Sequence, residues 1–489
     1  MSGQTESTQA RLQRALTLHK GGAIAEAGIL YRGVLIDDPT NADALHLLGL
    51  TYKSADRLDE ALSSIRAAVT LKPDFADAHY NLGNTFASLG RSPEAIASFR
   101  EALELDPNHL LAAYNLGNIL RDRGDLEGAA DAFRAALGAR SDYAEARHNL
   151  ANVLKSLNQL DAAIVEYRRT LALKPNLAEA HYNLGLALLL TGAMEEGLAQ
   201  YEWRWSVDGF PTPPRNFPQP LWDGRRVTGE ALLIHAEQAF GDAIQFCRYL
   251  PLIAGRARRI ILECRRPLIG LMSTLPGVDL VVEAGTPLPA FDLHAPLLSL
   301  PRIVGTRLGT IPANVPYLHA DSSKVTRWRA HRDKRFTVGL IWAGNRKPDP
   351  GRTIGLAGMD PLLAIPGVRF VALQRELDPG DAERLAALGN KLDHWGAEFA
   401  DFADVAAALE AVDLAISIDT GPAHLAGALD RPIWVCLPFS PDWRWLMTRA
   451  DSPWYPSMTL YRQARRGDWA PVIARVADDL RRKIASTTL

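Results

Sequence analysis

Apolar residues in the first 205 positions recur at three- and four-residue spacing, in paired runs separated by turns bearing glycine or proline. Such spacing places the apolar side chains on one face of a helix, so it predicts pairs of amphipathic helices. From about residue 230 the pattern changes. Short apolar runs, EALLIHA (230–236), RRIILEC (258–264) and VDLVVEAG (278–285), alternate with helical stretches such as 241–256, and FDLHAPLLSLPRIVG (291–305) continues in that style. After an irregular stretch at 306–334, strands are expected at 335–345, 368–376, 412–419 and 431–439, with helical segments between them. This alternation predicts parallel sheets with helices on both faces, divided into two small doubly wound domains facing each other. Between the two regimes, 206–230 carries five prolines (211, 213, 214, 218 and 220) and reads as an extended, semi-rigid linker. The expected layout is therefore a helical array over 1–205, a linker over 206–230, and α/β domains over 231–330 and 331–489.

The helical half repeats itself. YNLGN occurs at 80–84 and 114–118, HNLAN at 148–152 and YNLGL at 182–186, with a weaker HLLGL at 46–50. The shared Asn81, Asn115, Asn149 and Asn183 are 34 residues apart, and Pro39, Pro73, Pro107 and Pro175 mark the same frame, with Ser141 in the remaining place. This pattern resembles the tetratricopeptide repeat. About five units and a partial one near 9–36 would stack into an α-solenoid, because one unit cannot bury its apolar face alone. Proline and glycine in every unit argue against a long coiled coil. Such arrays offer a groove to a partner polypeptide, or merely scaffold the chain. The four asparagines should fall on one line. They are candidates for binding an extended peptide backbone without reading its sequence; the competing reading is that each caps a turn in its own repeat.

The strand ends of the second half carry the candidate chemistry. HAEQAFGDAIQF (235–246) opens a helix with Gly241-Asp242, WAGNRKPDPGRTIGL (342–356) holds a Gly-Asn turn with Arg346, Lys347 and Arg352, and ALQRE (372–376) includes Gln374. ISIDTGPAHLAGAL (416–429) runs from a buried strand through Asp419, Thr420, Gly421 and Pro422 to His424. Pro422 suits a first helical turn, and Gly421 lets a backbone approach an anion closely. A helix N-terminus there would attract a phosphate. The GD turn, the D-T-G-x-x-H turn and LPFSPDWRWL (437–446) resemble the heptosyltransferase-like family of inverting glycosyltransferases. Joined to the repeats, the layout is similar to protein O-linked N-acetylglucosamine transferases.

The resemblance spans nearly the whole chain and is weak between 257 and 334. It implies a GT-B pair of Rossmann-like domains acting without a metal or other cofactor on a nucleotide-sugar donor. It places Asp242 as general base and lines the donor pocket with Asp419, Thr420, Gly421 and His424. Asn345, Lys347 and Gln374 are further donor-side candidates. The heptosyltransferases stabilise the leaving diphosphate with a lysine that has no clear match here; Arg352 is the first choice, ahead of Lys347 and Arg346. Each assignment has a structural rival: a capped helix with a core histidine, a carboxylate on a helix dipole, a solvated loop cation. Trp443 and Trp445 either shape the cleft or fill the core.

Bulk properties narrow the field. A net charge of -2 and a pI near 6.7 give no general reason to expect nucleic-acid binding, though local basic patches remain open. The three cysteines, Cys247, Cys264 and Cys436, sit among apolar residues and suit reduced core positions in a cytoplasm. The polar first 22 residues suggest no secretory signal, and no spanning apolar run occurs. Neither a P-loop nor a G-x-G-x-x-G follows a strand, and the histidines are scattered. The expected function is an inverting, metal-independent glycosyltransferase with a protein acceptor in the repeats. An inactive peptide-binding adaptor and a transferase acting on a lipid or saccharide stay open.

Overall fold

The computed structural model describes residues 6–344 and 350–487. It divides into two compact units, Met1–Ala180 and His181–Leu489.

The first unit is a stack of antiparallel helix pairs. These are α1 (Thr8–Lys20) with α2 (Ile24–Asp37), α3 (Ala42–Ser54) with α4 (Leu58–Leu71), and α5 (Ala76–Ser88) with α6 (Ser92–Leu105). They continue as α7 (Leu110–Asp122) with α8 (Leu126–Ala139) and α9 (Ala144–Ser156) with α10 (Leu160–Leu173). Within each pair the chain turns through one residue of positive φ: Gly22, Asp56, Gly90, Gly124 and Asn158, 34 residues apart. Only glycine, and less readily aspartate or asparagine, enters that region cheaply, so the turn recurs wherever those residue types do. The pairs close over a core of Tyr31, Ile65, Phe99, Phe133 and Tyr167, one per unit. The small residue of the repeat motif faces that ring: a Cβ on Gly117 would lie 2.6 Å from Phe133 Cε1, and one on Gly83 2.6 Å from Phe99 Cε1. Helix approach thus requires glycine opposite phenylalanine. Where alanine replaces it, at Ala151, the facing ring is Tyr167, whose hydroxyl donates to Asn152 Oδ1 at 2.6 Å.

The second unit begins within α11 (Ala178–Thr191), followed by α12 (Met194–Tyr201). Its first sheet comprises β1 (Val227–His235), β2 (Ala257–Cys264), β3 (Leu280–Glu283) and β4 (Leu293–Pro296), all parallel, in the order β3-β2-β1-β4. The second sheet comprises β5 (Phe336–Ile341), β6 (Val368–Ala372), β7 (Leu392–His394), β8 (Leu414–Ile418), β9 (Ile433–Leu437) and β10 (Met458–Arg462). It is also parallel, in the order β10-β9-β8-β5-β6-β7. A helical stack followed by two doubly wound parallel sheets is the expected fold class, consistent with the GT-B arrangement. The core of the second sheet includes Leu340, Trp342, Ile416 and Ile418, packed against Val472, Val476 and Leu480 of the last helix.

Several details differ from the sequence pattern, among them a helix, Ser322–Ala330, inside the stretch expected to be irregular. β7 and β10 were not anticipated: one is three residues long, and the other, MTLYR, is a short edge strand without a clear period. The helix expected over 241–256 is broken. It runs as α13 (Phe240–Phe246), a 3-10 turn and a short helix Leu250–Ile253, because Pro251 lacks the N–H that would continue the ladder. The proline-rich segment is docked rather than a spacer. Trp222 N donates to His294 O at 2.8 Å, Leu221 bridges β4 in parallel, and Arg215 forks onto Glu263 at 3.0 and 3.2 Å. Among the described residues no helix is long and apolar enough to cross a membrane.

Replacing Gly117 by alanine should push the Phe133 ring and lower stability by about 1–3 kcal/mol, the usual range for an overpacked core. Urea unfolding of the variant against the parent measures this.

Candidate functional site

In open parallel sheets a ligand crevice forms at the carboxyl ends of strands, where the strand order reverses. The first sheet reverses between β1 and β4, and the second between β5 and β8. The two sequence motifs follow those strands. β1 leads through 236–239 into α13, which carries Gly241 and Asp242; β8 leads through Asp419 and Thr420 into α14 (Gly421–Ala428). The two turns, some 180 positions apart in sequence, meet in space. A Cβ on Gly241 would lie 3.0 Å from His424 Cδ2 and 3.4 Å from the Gly421 Cα, so glycine lets the turns come this close without displacing the His424 ring.

Arg444, in the loop after β9, ties the first of these turns to the second α/β half. Its Nη2 donates to Asp242 Oδ1, its Nη1 to Asp442 Oδ1 at 2.8 Å, and its Nε to Gln245 Oε1 at 2.5 Å. The guanidinium lies over Trp443 and Phe246, with centroid distances of 4.7 and 5.2 Å. Asp242 also accepts the Ala239 N–H at 2.9 Å, the contact of a residue in a first helical turn. Burial raises the affinity of Asp242 for a proton, and Arg444 opposes that rise. Arg444 escaped the sequence reading, which stopped at the neighbouring tryptophans. The signal was a cation inside an aromatic run, two residues after Asp442.

His424 is buried, and its Nδ1 lies 3.0 Å from the Tyr455 hydroxyl. Its ring stacks on Trp445 with centroids 5.1 Å apart. Burial, then Arg444 and Arg248, hold its pKa well below the ordinary value, so the imidazole is neutral. Nε2 is 3.7 Å from Asp419 Oδ1, beyond a hydrogen bond. Burial and the Asp442 charge push the Asp419 pKa up to about 6, against the pull of Trp445, Arg444 and Arg352. Thr420 precedes the first turn of α14, with Pro422 inside it, and its hydroxyl lies 3.1 Å from Ser417 Oγ. A Cβ on Gly344, just beyond β5, would approach Thr420 Cγ2 to 3.1 Å and Arg352 Nε to 3.7 Å. Arg352 therefore stands at the same switch point as Asp419 and Thr420.

Other candidates stand differently. Gln374 ties two strand ends: its Oε1 accepts from Ala343 N at 3.1 Å and its Nε2 donates to Glu376 O at 3.1 Å. Asn345, Arg346 and Lys347 lie outside the described residues. Trp443 and Trp445 are both buried. The repeat asparagines form a ladder from unit to unit. Asn81 Nδ2 contacts His46 Nε2 at 2.9 Å, Asn115 Nδ2 donates to Asn84 Oδ1 at 2.8 Å, and Asn149 Nδ2 to Asn118 Oδ1 at 3.0 Å. These donors thus engage the preceding repeat. Asn183 belongs to α11.

The first sheet's switch point has its own polar cluster. His235 Nε2 and His294 Nδ1 are 3.3 Å apart, with Phe217 edge-on to both rings. Burial and His294 lower the His235 pKa to about 3. Glu237, in the turn before α13, accepts from Arg204 Nη2 and from Leu298 N, each at 3.2 Å, and burial raises its pKa to about 7. Among the described residues no group of three or more His, Cys, Asp or Glu is placed to hold a metal ion.

The fold and site define a repeat solenoid joined to a two-sheet domain with its motifs at the switch points. Comparison with known families gives that class a name. The TPR repeat profile matches residues 52–90, 117–158 and 151–192, and the tetratricopeptide repeat profile matches 76–109. The glycosyltransferase family 9 (heptosyltransferase) profile matches 374–435, a span holding Gln374 and the whole DTGPAH turn. The chain thus joins tetratricopeptide repeats to a glycosyltransferase family 9 (heptosyltransferase) domain. It is 30% identical over 328 residues to protein FlbA of Caulobacter vibrioides, covering 61% of this chain. The chain spans about half, 54%, of the length of that relative. Similar solved structures include MamA, at 26% identity over 32% of this chain and 91% of that one, with a TM-score of 0.31. YrrB, described as a TPR protein with an unusual peptide-binding site, is 22% identical over 35% of this chain and 89% of that one, with a TM-score of 0.34.

Two outcomes follow from the buried charges. Arg444→Met leaves Asp242 without its cation and should lower stability at pH 7 by about 3 kcal/mol. The loss should shrink as pH falls and Asp242 takes up a proton, seen by denaturant titration at pH 7 and pH 4.5. His235, whose pKa falls on folding, adds stability that is complete above its unfolded value near 6.5 and is lost as pH drops toward 3. Over that window His235→Asn should show a stability slope shallower by about 1.4 kcal/mol per pH unit.

Proposed function

We propose that this chain is an inverting glycosyltransferase, moving a sugar from a nucleotide-sugar to a polypeptide acceptor presented by the repeats. The observation that carries the reading is the meeting of Gly241-Asp242 with the turn of Asp419, Thr420, Gly421 and His424. In this reading residues 1–205 serve the acceptor, 206–230 connect, 231–330 carry the base, and 331–489 bind the donor.

The donor diphosphate sits against the N-terminus of α14, where the helix dipole favours an anion. Thr420 adds a hydroxyl, Arg352 offsets charge on the departing phosphate, and Gln374 borders the nucleoside. An acceptor oxygen or nitrogen attacks the anomeric carbon from the face opposite the leaving group. The bond to the distal phosphate breaks, the nucleoside diphosphate departs, and the acceptor proton passes to Asp242. A base needs appreciable proton affinity, and burial supplies it; Arg444 keeps the carboxylate ionised and aimed. His424, neutral and braced by Tyr455 and Trp445, shapes the turn rather than carrying charge. Because Arg352 and the helix terminus supply the positive field, turnover proceeds without a divalent cation.

One observation favours the adaptor reading. Asp242 is already engaged by Arg444 and by the Ala239 N–H, as a purely structural carboxylate would be. A single experiment separates the two. Thermal shift against UDP-, GDP-, ADP-, dTDP- and CMP-sugars should identify one donor, adding about 2.7 kcal/mol at 100 times its Kd. Asp242→Asn should keep that shift and lose turnover, and a chelator should leave turnover of the parent unchanged. Near-normal turnover in Asp242→Asn removes it from the mechanism, and failure of every donor to bind supports the adaptor.

A further inference from the structure

Among the described residues, five that are not glycine have positive φ. Three of them, Asp56, Asn158 and Asp430, are of the types that enter this region most readily. The other two are Gln238, at φ 65°, and Leu446, at φ 52° and ψ -170°. Neither type belongs there, and the Leu446 conformation is close to one reserved for glycine. Their places are not random. Gln238 stands four positions before Asp242, and Leu446 two positions after Arg444. One strained residue thus sits beside each partner of the buried ion pair.

Such a residue persists only where its surroundings hold it. Each of the two has a visible holder. Gln238 Nε2 donates to the Tyr201 hydroxyl at 2.7 Å, and its backbone N donates to Thr212 Oγ1 at 3.2 Å. Tyr201, the last residue of α12, is buried, and Arg204 just beyond it donates to the neighbouring Glu237. On the other side, Arg462 closes β10. Its Nη1 donates to Leu446 O at 2.8 Å, its Nη2 to Trp445 O at 2.5 Å and its Nε to Arg449 O at 3.0 Å. The whole fork is therefore turned to the carbonyls that follow Arg444.

We propose that Tyr201 and Arg462 are positioning residues, which aim Asp242 and Arg444 at each other by holding Gln238 and Leu446 in conformations those residues would not otherwise keep. The inference rests on the reading of Asp242 as base and adds what fixes its direction. A relaxed turn on either side lets the carboxylate or the guanidinium swing, and small misplacements at a reacting centre are costly in rate.

The test uses the full chain, and turnover is read as nucleoside diphosphate released from the nucleotide-sugar that gives a thermal shift. Tyr201→Phe keeps the ring and removes the hydroxyl. It should lower kcat by roughly ten-fold or more and leave KM for the donor within about two-fold. Circular dichroism melting should place it close to the parent. Arg462→Lys keeps the charge and loses the fork, and should act in the same direction. The two strained positions give the sharper readout. Glycine enters the positive-φ region without an anchor, so Gln238→Gly should keep more turnover than Gln238→Ala, and Leu446→Gly more than Leu446→Ala. A purely structural role predicts the reverse, because glycine removes more side chain and loosens the unfolded chain. In the ligand-free chain, Tyr201→Phe should also speed amide hydrogen exchange over 236–246. The proposal is overturned if both alanine variants match or exceed their glycine counterparts in turnover, or if Tyr201→Phe leaves the exchange of 236–246 as in the parent. Loss of turnover in Asp242→Asn alongside either result leaves the base assignment standing. Normal turnover in Asp242→Asn removes the base assignment instead; the exchange measurement then decides the brace by itself, as it does if no sugar binds.

Discussion

The buried guanidinium of Arg444 is the interaction on which the candidate site depends. It reaches from the second α/β half to Asp242 and Gln245 in the first, while Asp442 holds it from its own side. A buried charge is tolerable only when paired and hydrogen-bonded, and each nitrogen of this fork has a partner. The return contact is similar. Arg248, from the first half, donates to Trp454 O at 2.6 Å and to the Tyr317 hydroxyl at 2.9 Å. Two cations, one from each half, fix the register in which Gly241 can touch Gly421 and His424. Loss of either partner would leave a desolvated charge, so the arrangement of the two turns is tied to the stability of the whole unit.

The same packing explains why the titratable groups of the site depart from solution behaviour. Two aspartates, Asp242 and Asp419, are taken out of water beside helix N-termini, and both gain proton affinity. His424, equally buried and near two guanidiniums, loses it. Desolvation acts in opposite directions on acids and bases, so one dry environment prepares carboxylates to accept protons and keeps the imidazole neutral.

The solenoid is governed by a different constraint, the repetition of one turn and one contact. A positive-φ residue recurs every 34 positions, and a small residue faces a ring in successive pairs. Once a helix pair is set, everything on it repeats at the same angle, the asparagine ladder on the first helices included. The asparagine donors reach the preceding unit, so this row contributes to stacking as well as presenting amides.

Much of this was legible in the chain. The 34-residue period is written in local residue types, Asn-Leu-Gly, a turn glycine and a junction proline, and local sterics translate it directly into helix pairs. The strand–helix alternation of the second half is equally local, since buried parallel strands read as unbroken apolar runs. The turns at Gly241-Asp242 and Asp419-Thr420-Gly421 stand out because glycine, proline and capping residues mark a strand-to-helix junction. What the sequence could not convey was any pairing between distant segments. β7 and β10 are too short to carry a period, and only the sheet edge beside them makes them strands. The proline-rich stretch reads as a spacer, yet its unpaired backbone groups found the edge of β4. Arg444 looked like one charge in an aromatic run; its role depends on Asp242, 202 positions away, which tertiary packing alone brings within reach. Periodicity and turn chemistry act over a few residues and are visible in one dimension. Neutralising a buried charge is a matter of three, and the folded chain decided it.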